Sequence, residues 1–102
     1  MTEKQFENRV KTFLKAEGCW VLKTWGGGYQ RSGIPDLLFC CNGKFCGVEL
    51  KSEDGRPSLL QIHEVEQIQK AGGYGCILFP SGFEDFKKRI REIKDGIFLL
   101  KS

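Results

Sequence analysis

Apolar positions fall three and four apart at the start of the chain. Phe6, Val10, Phe13 and Leu14 form one stripe within residues 3–17, which predicts an amphipathic helix. Thr2 and Gln5 have capping-box spacing at its start, and Gly18 is a natural stop. The pattern then changes. Residues 19–24 (CWVLKT) read as a strand and lead into a glycine-rich loop, residues 25–33 (WGGGYQRSG). Residues 35–41 (PDLLFCC) and 44–51 (KFCGVELK) read as two further strands. Asn42-Gly43 between them is a strong hairpin signal. After the polar loop SEDGRP, Ser58 can cap a second helix to about residue 71, ended by Gly72-Gly73. Residues 74–80 form a short apolar run, read as a buried strand. Ser81 and Glu84 form another capping-box pattern, for a helix to about residue 94. Asp95-Gly96 then turns the chain into a short apolar segment, residues 97–100. The order α-β-β-β-α-β-α-β predicts an α/β fold, a mixed central sheet flanked by helices, in one domain over residues 1–102.

Composition narrows the classes of function. A chain of 102 residues, 40% of them hydrophobic, can bury one core and is too short for two. Sixteen basic against thirteen acidic side chains give +3, which excludes a polybasic, histone-like binder and permits a nucleic-acid partner. No apolar run is long enough for a membrane span, and the charged N-terminus lacks the apolar stretch of a secretion signal. A cytoplasmic protein is therefore expected. Cys19, Cys40, Cys41, Cys46 and Cys76 contain no Cys-x-x-Cys pair and are expected to be reduced and mostly buried. A zinc site from Cys40, Cys41, Cys46 and His63 is disfavoured, because adjacent strand residues point to opposite faces.

The hairpin allows a geometric inference. If Asn42-Gly43 is a two-residue turn, Cys41 pairs with Lys44, and Asp36 falls opposite Glu49 on one face. Lys51 is two residues on and shares that face. Like charges placed directly opposite cost up to ~1 kcal/mol. The two carboxylates can share a proton, pair with Lys51, or share a divalent cation. Carboxylate oxygens suit Mg²⁺ or Mn²⁺. The bland alternative is a solvated hairpin end with a surface Glu–Lys pair. An aspartate in register and strongly apolar flanks favour a site.

The run Ser32-Gly33-Ile34-Pro35-Asp36, followed by Val48-Glu49-Leu50-Lys51, resembles the PD-(D/E)XK nuclease signature. The Gly-x-Pro-Asp form, the short glutamate-bearing first helix and a glutamine in the helix after Glu-x-Lys are similar to the VRR-NUC (virus-type replication-repair nuclease) branch. The resemblance spans about residues 3–78. It implies a restriction-endonuclease-like core, Mg²⁺ as cofactor with Mn²⁺ able to substitute, and hydrolysis of DNA phosphodiesters. It assigns Asp36 and Glu49 as metal ligands, completed by the backbone carbonyl of Leu50. Lys51 then orients the attacking water and stabilises charge on the scissile phosphate. A lysine beside two carboxylates holds its proton firmly, so it does not act as general base unless a metal neutralises them. Glu7 matches the helix-borne acid and metal ligand; it sits at the edge of the apolar stripe, with Glu3 one turn earlier as rival. Gln61 matches the catalytic glutamine. It falls on the wheel with Val65 and Ile68, so it either points inward or stays solvated in the first turn. His63 falls on the other side, read as solvent-exposed.

The glycine-rich loop brings Trp25, Tyr29 and Arg31 close to Asp36 in sequence, where they can stack on or clamp DNA. It is equally readable as a loop with its aromatics tucked into the core. Arg56 is near the site in sequence. Lys87, Lys88 and Arg91 load the last helix with charge, either as a solvated face or as a phosphate track. Setting aside Glu7, Asp36 and Glu49 leaves ten acidic against sixteen basic residues, a negative pit in a positive surface. The small size is similar to stand-alone phage and bacterial VRR-NUC proteins. That implies a homodimer acting on branched DNA such as a Holliday junction, in a phage or prophage setting. Residues 97–100 and the last helix can form the dimer interface or finish the core. The alternatives are a less selective nicking or flap nuclease, a non-catalytic DNA-binding module, and a plain interaction protein.

Overall fold

The structure is a computed structural model that describes residues 1–25 and 30–96. Helix α1 (Glu3–Ala16) opens on the expected capping box between Thr2 and Gln5 and buries Phe6, Glu7, Val10 and Leu14. Gly18 follows with a φ of 86°, a left-handed conformation suited to glycine after a helix. Strand β1 (Trp20–Lys23) pairs antiparallel with β2 (Leu37–Cys41), and β2 with β3 (Lys44–Leu50). The β2–β3 turn has φ of 49° at Asn42 and 78° at Gly43, as a type I′ hairpin requires. Cys41 pairs with Lys44 as the turn predicts, and the register runs unbroken to Leu37 opposite Val48.

Helix α2 (Leu59–Lys70) crosses the sheet and returns the chain into β4 (Tyr74–Leu78), which pairs parallel with β3. The sheet order is β1-β2-β3-β4, mixed as expected. Helix α3 (Phe83–Lys94) completes the described elements. The strand predicted over residues 97–100 lies outside the described residues. No helix among those described is long and apolar enough to cross a membrane.

Alternation of side chains sorts the two sheet faces. One face carries Leu37, Phe39, Cys41, Cys46, Val48 and Leu50, and α1 and α3 cover it with Phe6, Val10, Leu14, Phe86, Ile90 and Ile93. Phe83 meets Phe6 edge-on, with centroids 5.6 Å apart. On the other face α2 lies close over β3 and β4, where Gly47 and Gly75 stand side by side. A Cβ on Gly47 would lie 2.8 Å from Ile68 Cδ1, and one on Gly75 2.9 Å from the Val65 carbonyl oxygen. The two glycines therefore set how near the helix can come.

One expectation fails. Ser81 and Glu84 do not cap α3, whose first helical residue follows Gly82 with no side-chain cap. Pro80–Gly82 form a 3-10 turn first, which moves the helix start past Ser81. The Glu53 carboxylate takes the Ser81 N–H and its hydroxyl instead. The cysteines behave as expected. Cys19, Cys41 and Cys46 are buried, Cys76 is half-buried, and all are free thiols. Cys40 is exposed on the opposite face from Cys41, as strand alternation requires.

Candidate active site

Asp36 stands just before β2, one step beyond the last paired residues of the hairpin. Its backbone is fixed by Thr24, the residue just after β1: the Thr24 N–H donates to the Asp36 carbonyl at 2.9 Å, and the Thr24 hydroxyl donates to the Pro35 carbonyl at 2.8 Å. Its side chain is fixed by β3, since Oδ2 accepts the Leu50 N–H at 2.9 Å. A strand residue directs its N–H and C=O to the same side in an antiparallel ladder. The Leu50 carbonyl is thereby turned toward the Asp36 side, while the next N–H, of Lys51, bonds Leu78 in β4 at 3.0 Å.

Glu49 is 3% exposed, inside the sheet end beside Asp36. Burial, then the Asp36 charge, push its carboxyl up to about 7, against a smaller pull downward from Lys51. Lys51 Nζ lies 3.5 Å from Glu49 Oε2. The sequence inference that Asp36, Glu49 and Lys51 converge on one face is met by this geometry.

Glu7 is buried on α1 and ringed by three lysines. Lys23 Nζ is 2.9 Å from Oε1, and Lys4 and Lys11 are each 3.3 Å from Oε2. Burial alone would raise the Glu7 pKa, but Lys23, Lys11 and Lys4 outweigh it and lower it. Lys23 also lies 3.7 Å from Asp36 Oδ1. Burial alone would lower the Lys23 pKa, but Glu7 and Asp36 outweigh it and raise it. Glu7 therefore reaches the Asp36–Glu49 pair through an ammonium group and does not touch it. Among the described residues no three acidic, histidine or cysteine side chains converge as a metal cluster. Glu3, the rival acid, is exposed.

A cavity of about 440 Å³ opens on this pair, lined by Lys23, Gln30, Arg31, Asp36, Glu49 and Gln61 among others. Gln61 reaches it from the first turn of α2. Its side-chain oxygen accepts the Ser58 N–H at 2.9 Å, completing a capping box, so the inward and solvated readings meet in one half-buried residue at the cavity wall. Arg31 lines the cavity and pairs with Glu64 on α2 at 2.7 Å. Trp25 is 77% exposed, Arg56 is exposed in the loop after Lys51, and Tyr29 lies outside the described residues. His63 is exposed, as expected. Lys87, Lys88 and Arg91 belong to α3, in the layer across the sheet, and do not line the cavity. Lys87 instead lies over the Phe83 ring, and Arg91 over Phe13 and 3.7 Å from Glu17.

A buried carboxylate beside a second one, with a backbone carbonyl turned toward them, is a donor set for a hard divalent cation. Such an ion would offset the burial and the Asp36 charge that together raise Glu49. The sequence reading missed Lys23 and Thr24. A signal was present: alternation in CWVLKT puts Lys23 on the same strand face as Val21, which packs on the core.

The family model described as archaeal Holliday junction resolvase (Hjc) matches residues 2–76, most of the chain, including Glu7, Asp36, Glu49, Lys51 and Gln61. The chain belongs to the Hjc family. A solved structure described as a VRR_NUC domain is also similar, with a TM-score of 0.60, 27% identity, and coverage of 93% of this chain and 97% of that one. No curated protein matches. The VRR-NUC resemblance and the nuclease fold read from the sequence are thus borne out. This Hjc-family chain has the helix-flanked mixed sheet of a nuclease, with its acidic pair at one end of that sheet.

Proposed function

We propose that the chain is a metal-dependent endonuclease that cuts branched DNA, a Holliday junction foremost, as a homodimer. The observation that carries this reading is the Asp36–Glu49 pair. A carboxylate only 3% exposed beside another is costly unless something positive completes it. The family match supplies the class of chemistry.

Asp36, Glu49 and the Leu50 carbonyl would hold Mg²⁺, or Mn²⁺ in its place, with Glu7 as a further acid behind Lys23. Bound there, the cation would polarise a phosphate oxygen and lower the pKa of a water at the site. The chain's own residues do the rest. Lys51, 3.5 Å from Glu49, offers positive charge to the scissile phosphate. Gln61 orients water or phosphate from the cavity wall. Arg31 and Arg56 meet the DNA backbone, and Trp25 and Tyr29 are placed by sequence to stack on it. A duplex or four-way junction is cut symmetrically only if two such sites act together, hence the homodimer.

The test incubates purified protein with labelled four-way junction, duplex and single-stranded DNA in Mg²⁺, Mn²⁺ or EDTA. Paired, symmetric junction cuts are expected with either metal and none in EDTA. Asp36→Asn and Glu49→Gln should each reduce the rate by ~10²-fold or more. Equal cutting of all three substrates would keep the nuclease and remove the junction preference. Wild-type rates in both variants would overturn the metal site.

A further inference from the structure

A lysine stands between the third acid and the cavity. Lys23 lines the cavity with Asp36 and Glu49, and Glu7 is not among its lining residues. The Lys23 ammonium bridges the two acids it contacts, 2.9 Å from Glu7 Oε1 and 3.7 Å from Asp36 Oδ1. Glu7 is buried, and its other oxygen is taken by Lys4 and Lys11. Lys23 is not a loose surface lysine. Its side chain is 28% exposed and leaves β1 on the core face with Val21. The ammonium is therefore built into the acidic site.

Charge and space decide what a metal ion meets there. Two-metal sites hold their ions ~3.5–4 Å apart on shared acids. Here the acid that two ions would share, Asp36, already has an ammonium on the side toward Glu7. A divalent ion at that place would compete with Lys23 for the same oxygens, and two positive charges so close repel strongly. Glu7, with three ammonium groups around its carboxylate, has its charge already met. Asp36 is held at both oxygens, by Lys23 at Oδ1 and by the Leu50 N–H at Oδ2. The Asp36–Glu49 pair carries two negative charges, which one divalent ion balances. We infer that the site takes a single divalent cation, on Asp36 and Glu49, and that the Lys23 ammonium fills the place of a second one between Asp36 and Glu7. Lys23 is then a positioning residue that orients Asp36 and keeps Glu7 from the metal. The inference rests on the metal-dependent reading proposed above and adds the number of ions to it.

Electron paramagnetic resonance of the full chain with Mn²⁺ alone, without DNA, tests it. The method counts bound ions, and two ions ~4 Å apart couple their spins. The wild type should bind one Mn²⁺ with an uncoupled spectrum. Lys23→Met should admit a second ion and show coupling, whereas Lys23→Arg, which keeps the charge, should stay at one. Glu7→Gln should keep the single Mn²⁺ with an affinity within ~5-fold of the wild type. The double variant Glu7→Gln with Lys23→Met should return to one ion, which places the second ion at the vacated position. If Lys23→Met does not fold by circular dichroism, Glu7→Gln decides the matter alone. Two coupled ions on the wild type overturn the inference, as does a single ion on folded Lys23→Met. A loss of ~10-fold or more in Glu7→Gln also overturns it and makes Glu7 a ligand. Those three results leave the metal-dependent reading standing. A wild type that binds no Mn²⁺ overturns that reading, and this inference with it.

Discussion

Lys23 ties the acids of α1 and the hairpin together, contacting Glu7 at 2.9 Å and Asp36 at 3.7 Å. Removing it leaves a buried carboxylate short of its nearest partner. Lys23→Met is expected to destabilise the protein by ~1–3 kcal/mol at neutral pH, measured by urea unfolding. Lys4→Met, removing a lysine 71% exposed, should cost no more than ~0.5 kcal/mol. Equal losses would mean that Lys23 is not the key partner. The pH dependence of stability follows from two carboxyls of opposite behaviour. Glu49 has its folded pKa raised from 4.5 to about 7. The folded protein then holds a proton that the unfolded chain has released, and stability falls as pH rises through that window, by ~3 kcal/mol at most. Glu7 has a lowered pKa, so its contribution is present above 4.5 and lost as pH falls below. Urea midpoints of metal-free protein from acid to pH 8 should therefore decline on the alkaline side, and Glu49→Gln should flatten that decline. Mg²⁺ should restore more stability at pH 8 than at pH 5, because cation and proton compete for the same carboxylate. A flat alkaline limb in the wild type would sink the account of Glu49. At this scale Asp36, Glu49 and Lys51 were legible because a two-residue turn fixes register and register fixes faces. Lys23 was missed although alternation sets it on the core face with Val21, because a lysine in a four-residue strand reads as a polar break until the acids around it are known.

At the scale of elements, the Gly47–Gly75 notch decides where α2 sits, and α2 carries Gln61 to the cavity. Gly75→Ala would push its Cβ against the Val65 carbonyl, a backbone atom with no rotamer to give. A loss of ~1–3 kcal/mol is expected from that overpacking, with a drop in cleavage at temperatures where the variant is still folded. Unchanged stability would show that α2 can lift without cost. Ser58→Ala should cost about 1 kcal/mol and free the Gln61 side chain from its capping box, so its thermal shift and cleavage rate can be compared with those of Gly75→Ala. Both capping boxes that hold, at Thr2 and Ser58, were readable from local spacing alone. The one at Ser81 was not real, for a reason no local pattern contains. Glu53 comes from 28 positions away to take the Ser81 donors, and Pro80 favours a tighter turn at that point. The element order up to α3 followed from periodicity, whereas the parallel β3–β4 pairing needed the crossover of α2 to be seen.

Across the whole molecule, positive charge is divided between two layers with different work to do. Arg31 lines the cavity with Asp36 and Glu49, and Arg56 is exposed in the loop after Lys51. The cations of α3 lie behind the sheet. Lys87 and Arg91 there are spent on Phe83, Phe13, Glu84 and Glu17, so their stems and charges hold α3 against α1. Sequence alone put both groups forward as DNA contacts, the α3 cations as a phosphate track, since net charge carries no information about layers. The proposed function separates them. Arg31→Ala and Arg56→Ala should each weaken junction binding and lower the slope of log affinity against log salt by about one, as loss of a phosphate contact does. Arg31 must leave Glu64 to reach a phosphate, so Glu64→Gln should strengthen binding at low salt. Lys87→Met and Arg91→Met should lower the melting temperature and leave the salt slope unchanged. Fluorescence anisotropy of a labelled junction over a salt series, with the catalytically silent Asp36→Asn background to prevent cutting, reads all five. If the α3 variants reduce the slope and the rim variants do not, DNA lies across the helix layer, and the acidic pair would have to be reached from around the end of the sheet.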